Sequence, residues 1–233
     1  MIYKVTGKAE ILLHMLSSDL ESKICDLGIV PVVVIDSPAL APLLAEALTA
    51  GGLPIVEVTF RTAAAAESVA LLARTRPDLL IGAGTVLTAQ QLDEAVTAGA
   101  RFCVAPGFNL NVVKAAEQRA IPFIPGVATP TEIEAAMDAG CKLLKFFPSE
   151  ALGGVKMIEA IYAPYQHTGL RFVPTGGLNL DNLEAYFRCK AVAAVGGTWL
   201  ARKEDISSGN WLAIKQRCIQ ARSIFLKARS AEQ

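Results

Sequence analysis

The chain has 233 residues, and its 22 Lys plus Arg balance its 22 Asp plus Glu, so the formal net charge is zero. Apolar residues make up 52% and charged residues 19%, with a mean hydropathy of +0.40. Such a composition excludes a disordered chain, which needs low hydrophobicity and high net charge. It also gives no bulk electrostatic reason to expect nucleic acid or an anionic membrane as partner. The longest strongly apolar runs, such as 27–35, are about nine residues, against the roughly 20 needed to span a bilayer. The five cysteines, Cys25, Cys103, Cys141, Cys189 and Cys218, are odd in number and never spaced as CxxC. Reduced thiols in a cytoplasmic protein are therefore expected, not a disulfide framework or a zinc site.

In chain order, residues 1–29 read as an N-terminal helical extension. Its start, MIYKVTGKAEILLHML, carries Lys4, Lys8, Glu10 and His14 and no secretory apolar core. Short β-branched apolar runs then begin near positions 30, 55, 79, 101, 121, 143, 170 and 192, roughly 20 to 27 residues apart. Ala/Leu/Glu-rich segments with helical spacing separate them, and three of these end at Gly51, Gly99 and Gly140, where a helix-ending glycine is expected. Eight buried strands alternating with helices imply parallel pairing with both faces covered. The expectation is one (β/α)8 TIM barrel domain over residues 30–233. A doubly wound open sheet is the runner-up; it usually has five or six strands, and the first strand here lacks a G-x-G-x-x-G turn. The run 215–230, KQRCIQARSIFLKARS, predicts a C-terminal amphipathic helix with a solvated basic face.

Barrel chemistry sits at the C-terminal ends of the strands, so polar residues there matter most. Lys145 interrupts the apolar run LLKFFP. It either snorkels to solvent or sits desolvated, and desolvation favours the neutral, nucleophilic amine. In IVEVTF followed by Arg61, period-two spacing puts Glu57, Thr59 and Arg61 on one face of a strand. Glu57 and Arg61 read either as a structural ion pair or as a proton shuttle and a carboxylate clamp. Beside Lys145 and Thr85 the second reading fits carbonyl chemistry through a Schiff base. Glycine pairs close the seventh and eighth strands, in PTGG (Pro174–Gly177) and VGGTW (Val195–Trp199). Barrels commonly build a phosphate site from those two loops. GAGT (Gly82–Thr85) and APG (Ala105–Gly107) read as tight turns lining the mouth. Trp199 and Trp211 read as packing residues and Cys103 as an inert core thiol. With His14 in a helical pattern, His167 in a loop and no acidic cluster at strand ends, no metal is expected.

Taken together, EVTFRT (Glu57–Thr62), IGAGTV (Ile81–Val86), APGFN (Ala105–Asn109), IPGVATPTE (Ile124–Glu132), KFFPSEALGG (Lys145–Gly154), PTGG and VGGTWL resemble the 2-dehydro-3-deoxy-6-phosphogluconate aldolase family. The resemblance runs over about residues 28 to 202. It implies a class I pyruvate aldolase of the Entner–Doudoroff pathway that also handles 4-hydroxy-2-oxoglutarate. By this resemblance Lys145 is the Schiff-base lysine and Glu57 the general acid/base. Arg61 and Thr85 bind the pyruvyl carboxylate end, Pro106 and Phe147 line its pocket, and Thr175 helps set stereochemistry at the aldehyde carbon. Gly176, Gly177, Gly196, Gly197 and Thr198 hold the phosphate. The family often has Ser where Thr198 stands, and a small apolar residue where Ser149 stands. The resemblance further implies no cofactor beyond the covalent imine on Lys145, and a homotrimer. The alternatives are an aldolase for the galactonate epimer and a non-catalytic phosphometabolite-binding barrel.

Overall fold

The computed structural model describes residues 7–230, with side chains described from Met15 onward. Residues 1–6 of the expected N-terminal extension, and the side chains of Lys8, Glu10 and His14, lie outside the described residues. Helix α1 (Gly7–Leu27) precedes β1 (Ile29–Val33), α2 (Ala41–Ala50), β2 (Ile55–Thr59), α3 (Ala65–Thr75) and β3 (Leu80–Gly84). Next come α4 (Ala89–Ala98), β4 (Phe102–Val104), α5 (Leu110–Gln118), β5 (Phe123–Ile124), β6 (Gly126–Val127) and α6 (Pro130–Asp138). The chain continues through β7 (Leu143–Phe146), α7 (Gly154–Tyr162), β8 (Arg171–Pro174), α8 (Leu183–Arg188), β9 (Val195–Gly197), α9 (Lys203–Ser208) and α10 (Trp211–Ser230).

Local chemistry accounts for the punctuation. Thr88 caps α4 by accepting from the Gln91 amide, and Thr129 with Glu132 forms a reciprocal capping box on α6. Gly99 ends α4 in the left-handed region at φ 97°, as the Ala-Gly pattern predicts. Helix α2 ends at the cap residue Gly51 as expected, and the left-handed residue is the next one, Gly52, at φ 84°.

All strand pairs are parallel. Six strands run in the order β5-β4-β3-β2-β1-β9 and three in the order β6-β7-β8, giving a curled sheet with helices outside it. From β1 to β5 and from β6 to β8 successive strands are neighbours, and β9 returns to pair with β1, without the reversal of strand order that a doubly wound sheet requires. The run expected near 121 is split by Pro125, which has no N–H to give the ladder, so β5 pairs with β4 and β6 with β7. Between β8 and β9 the contact is reduced to the bridges Phe172↔Val192 and Thr175↔Gly196.

Period two sorts the strand side chains onto two faces. Val33, Val56, Val58, Leu144 and Phe146 belong to the large core under the helices. Val30, Ile55, Phe102, Val104, Ile124, Leu143 and Val173 form a second cluster inside the curl, with Leu20 and Ile24 of α1 packed on it. Helix α1 thus plugs the end where the strands begin, and the opposite end is left for chemistry. The basic residues of α10 are less solvated than expected. Arg222 donates to the carbonyls of Asp26 and Leu27, both at 2.7 Å, and Arg217 donates to that of Leu200 at 3.0 Å. These bonds fasten α10 to α1 and to the segment after β9.

Candidate active site

Two residues further along the inner face from Ile55 and Leu143, at the middle of β2 and one residue before the end of β7, stand Glu57 and Lys145. They are 3% and 6% exposed, and Lys145 Nζ lies 3.5 Å from Glu57 Oε1. The snorkelling alternative for Lys145 is therefore excluded, and the ion-pair partner of Glu57 is Lys145, not Arg61. Isolated buried charges are costly, so a buried pair away from water marks a site held for function more than for stability. Lys145 Nζ also sits 5.5 Å from the centre of the Phe147 ring, a cation–π distance.

The inner face of β3 explains how Glu57 fits. A Cβ on Gly84 would come within 2.1 Å of Glu57 Oε1, so the carboxylate occupies the space that any side chain at 84 would need. GAGT is thus not a tight turn: Gly82–Gly84 are strand residues made small to admit their neighbours. The turn begins at Thr85, whose φ of 58° is uncommon for any residue with a Cβ and most costly for a β-branched one.

A cleft of about 440 Å³ opens over this pair. Its lining includes Glu57, Arg61, Thr85, Pro106, Lys145 and Phe147, then Thr175, Gly176, Gly177, Gly197 and Thr198. Every expected site residue but one therefore meets in a single place. The exception is Gly196, which does not line the cleft; it pairs with Thr175 and leaves room for the Thr175 hydroxyl. Arg61 is exposed, its Nε 3.3 Å from Thr59 Oγ1, and Thr59 in turn donates to the Val33 carbonyl at 2.9 Å. Gly176 and Gly177, at φ 99° and 83°, need glycine for backbone reasons. Gly197 does not: it is small because the Trp199 indole packs against it, with Cδ1 and Nε1 each 2.4 Å from where a Cβ would stand.

Val32, Thr59, Leu178 and Trp199 also line the cleft. Trp199 reads from sequence as mere packing, and its position directly after GGT was the available signal. Its Nε1 is buried without a hydrogen-bond partner among the described residues. Ser149, Glu150 and Tyr186 lie behind the cleft wall in a hydrogen-bonded group with no sequence signature, because the partners come from different elements. His167 sits in the 3-10 segment Ala163–Thr168, away from the cleft lining. Among the described residues no three His, Cys, Asp or Glu side chains gather as a metal site. Burial pushes the Cys103 and Cys218 thiols up to about 12 and Cys141 to about 11.

A buried amine beside a buried carboxylate, under a cleft with an arginine on one side and glycine-rich loops on the other, suits addition to a carbonyl with proton transfer. The model of the family described as KDPG and KHG aldolase matches residues 20–217. A 2-dehydro-3-deoxy-phosphogluconate aldolase of Treponema pallidum is 45% identical over 195 residues, covering 82% of this chain and 92% of its own. The KHG/KDPG aldolase of Escherichia coli K12 is 42% identical over 183 residues, covering 78% and 85%. Among solved structures, the KDPG aldolase of Legionella pneumophila, with pyruvate captured as a covalent carbinolamine, superposes with a TM-score of 0.82 at 41% identity. That match covers 86% of this chain and 97% of the other.

Proposed function

Because this chain belongs to the KDPG and KHG aldolase family, we propose that it is a class I aldolase acting through an imine on Lys145. Its substrate is 2-dehydro-3-deoxy-6-phosphogluconate, cleaved to pyruvate and glyceraldehyde 3-phosphate, and it also splits 4-hydroxy-2-oxoglutarate to pyruvate and glyoxylate. The single observation that carries this reading is the Lys145–Glu57 contact of 3.5 Å between two buried side chains on the inner faces of β7 and β2.

In this mechanism the Lys145 amine adds to the C2 ketone, and the carbinolamine loses water to give a protonated imine. Glu57, directly or through a water, takes the C4 hydroxyl proton, and the C3–C4 electron pair flows into the imine as the aldehyde departs. The enamine is protonated at C3, and water returns at C2 to release pyruvate and the free amine. Arg61 and Thr85 hold the carboxylate of the substrate, and Pro106 and Phe147 wall the three-carbon unit. Thr175 faces the aldehyde carbon, and the loops at Gly176, Gly177, Gly197 and Thr198 take the phosphate, with Gly196 giving Thr175 its space. The imine is the electron sink, so no metal or other cofactor enters.

The architecture supports reading the curled sheet as a closed (β/α)8 barrel. Two observations support it: only Pro125 separates β5 from β6, and the bridges Phe172↔Val192 and Thr175↔Gly196 link the segments around β8 and β9. In this reading residues 30–233 form one barrel domain and residues 1–29 its helical extension. Free thiols at all five cysteines suit a reducing, cytoplasmic setting. A homotrimer is proposed from family membership, and light scattering tests it.

Substrate choice is tested by assaying pyruvate release from the gluconate and galactonate epimers, with EDTA present and absent. The gluconate epimer is expected to turn over faster, and EDTA to change nothing. Preference for the galactonate epimer, or EDTA inhibition reversed by a divalent ion, would refute the assignment.

A further inference from the structure

The cleft wall that carries Thr175–Gly177 is held from behind. The Ser149 amide donates to the Thr175 carbonyl at 2.9 Å, and the Glu150 amide donates to that of Gly176 at 3.0 Å. The stem of Glu150 lies against Gly177, where a Cβ would come 2.5 Å from Glu150 Cβ. Tyr186 of α8, 1% exposed, donates its hydroxyl proton to Glu150 Oε1. A phenol has one proton to give. The fully buried Ser149 Oγ, 2.8 Å from the Tyr186 hydroxyl, must therefore be the donor in that contact. Burial first, and then the Glu150 carboxylate, raise the Tyr186 phenol above its ordinary range, which keeps it a donor. The same strand end that delivers Lys145 thus runs within five residues into a side-chain relay, buried at Ser149 and Tyr186, bound to the neighbouring wall at Thr175–Gly177. Ser149 acts as the terminal donor of this group.

We propose that Ser149, Glu150 and Tyr186 are positioning residues that lock the Thr175–Gly177 loop at a fixed distance from Lys145, and so set recognition of the distal, phosphate-bearing half of the substrate. This rests on the aldolase reading above. The three side chains do not touch the reacting atoms. They hold the loop whose glycine backbone takes the phosphate in the reading above.

Tyr186→Phe removes one hydroxyl and keeps the packed ring. A hydrogen bond to a charged group is worth enough that KM for the phosphorylated aldol should rise on the order of ten-fold. Turnover of 4-hydroxy-2-oxoglutarate, and borohydride trapping of pyruvate on Lys145, should change less than about two-fold, since neither engages the loop through a phosphate. Glu150→Ala should reproduce the KM effect. Glu150→Gln, which keeps a carbonyl acceptor for the Tyr186 hydroxyl, should restore most of the affinity. Because Glu150 is exposed, its variants give the answer even if Tyr186→Phe folds poorly. Equal losses on both substrates, or no rise in KM in both Tyr186→Phe and Glu150→Ala, would overturn the proposal. Absence of pyruvate trapping in the unaltered protein would instead sink the aldolase reading, so the two failures are distinguishable.

Discussion

Glu57 and Lys145 lie 88 positions apart in sequence and 3.5 Å apart in space, and each is the lone charge in a buried strand. Removing the carboxylate charge while keeping the amide's shape separates proton transfer from imine formation. Glu57→Gln is expected to form the pyruvate imine and to lose turnover by about 10²- to 10⁴-fold, the usual contribution of general acid–base catalysis. Activity within a few-fold of the unaltered enzyme would reduce Glu57 to a charge partner. The buried thiols give a second prediction, in the alkaline range. Cys103 and Cys218 are raised by burial from 9.0 to about 12 in the folded chain. A group whose folded value is raised contributes stability that is full below the unfolded value and lost as pH climbs toward the folded one. The urea midpoint should therefore fall between pH 9 and 12, and fall less in a Cys103→Ala, Cys218→Ala variant. Equal pH slopes in the two proteins would contradict the linkage. At this scale Lys145 and Glu57 were legible because a charge in an apolar run has few explanations. The φ of 58° at Thr85 was not, since nothing in IGAGTV marks which residue turns left-handed.

Strand positions were legible because a strand buried on both faces must be a near-continuous apolar run. The break at Pro125 was legible too, in the missing N–H, but its consequence for the ladder depends on which neighbours compete for the pairing. From sequence alone the glycines of β3 read as turns. In a strand, glycine also marks close approach by another group, and here the approaching groups are the Phe102 ring at Gly82 and the Glu57 carboxylate at Gly84. Gly84→Ala therefore keeps an acceptable backbone but pushes Glu57 off its position. We expect a loss of turnover approaching that of Glu57→Gln, with pyruvate still trapped on Lys145. Turnover unchanged in Gly84→Ala would show that Glu57 works equally well from a displaced position. The Ser149–Tyr186 contact, 37 residues apart, was invisible in sequence because a tyrosine in an amphipathic helix carries no mark of its partner.

Across the whole molecule, one end of the curl is plugged and the other is chemical. Ile24 of α1 is 0% exposed and packs inside the strands beneath the Lys145 layer. Ile24→Ala should lower the unfolding free energy by about 2–5 kcal/mol, the range for truncating a buried aliphatic side chain. A loss below about 0.5 kcal/mol, typical of surface changes, would show that α1 is not part of the folding unit. The sequence marked residues 1–29 as helical but held no sign that the helix serves as a plug, because packing partners from several strands define that role. The central claim is that Lys145 becomes covalently joined to the keto acid, and it is tested by reducing the protein with borohydride in the presence of pyruvate and mapping the modified peptide by mass. The account predicts irreversible inactivation and one pyruvate-derived adduct on Lys145, absent from Lys145→Ala. An adduct on another lysine, or full activity in Lys145→Ala, would contradict it.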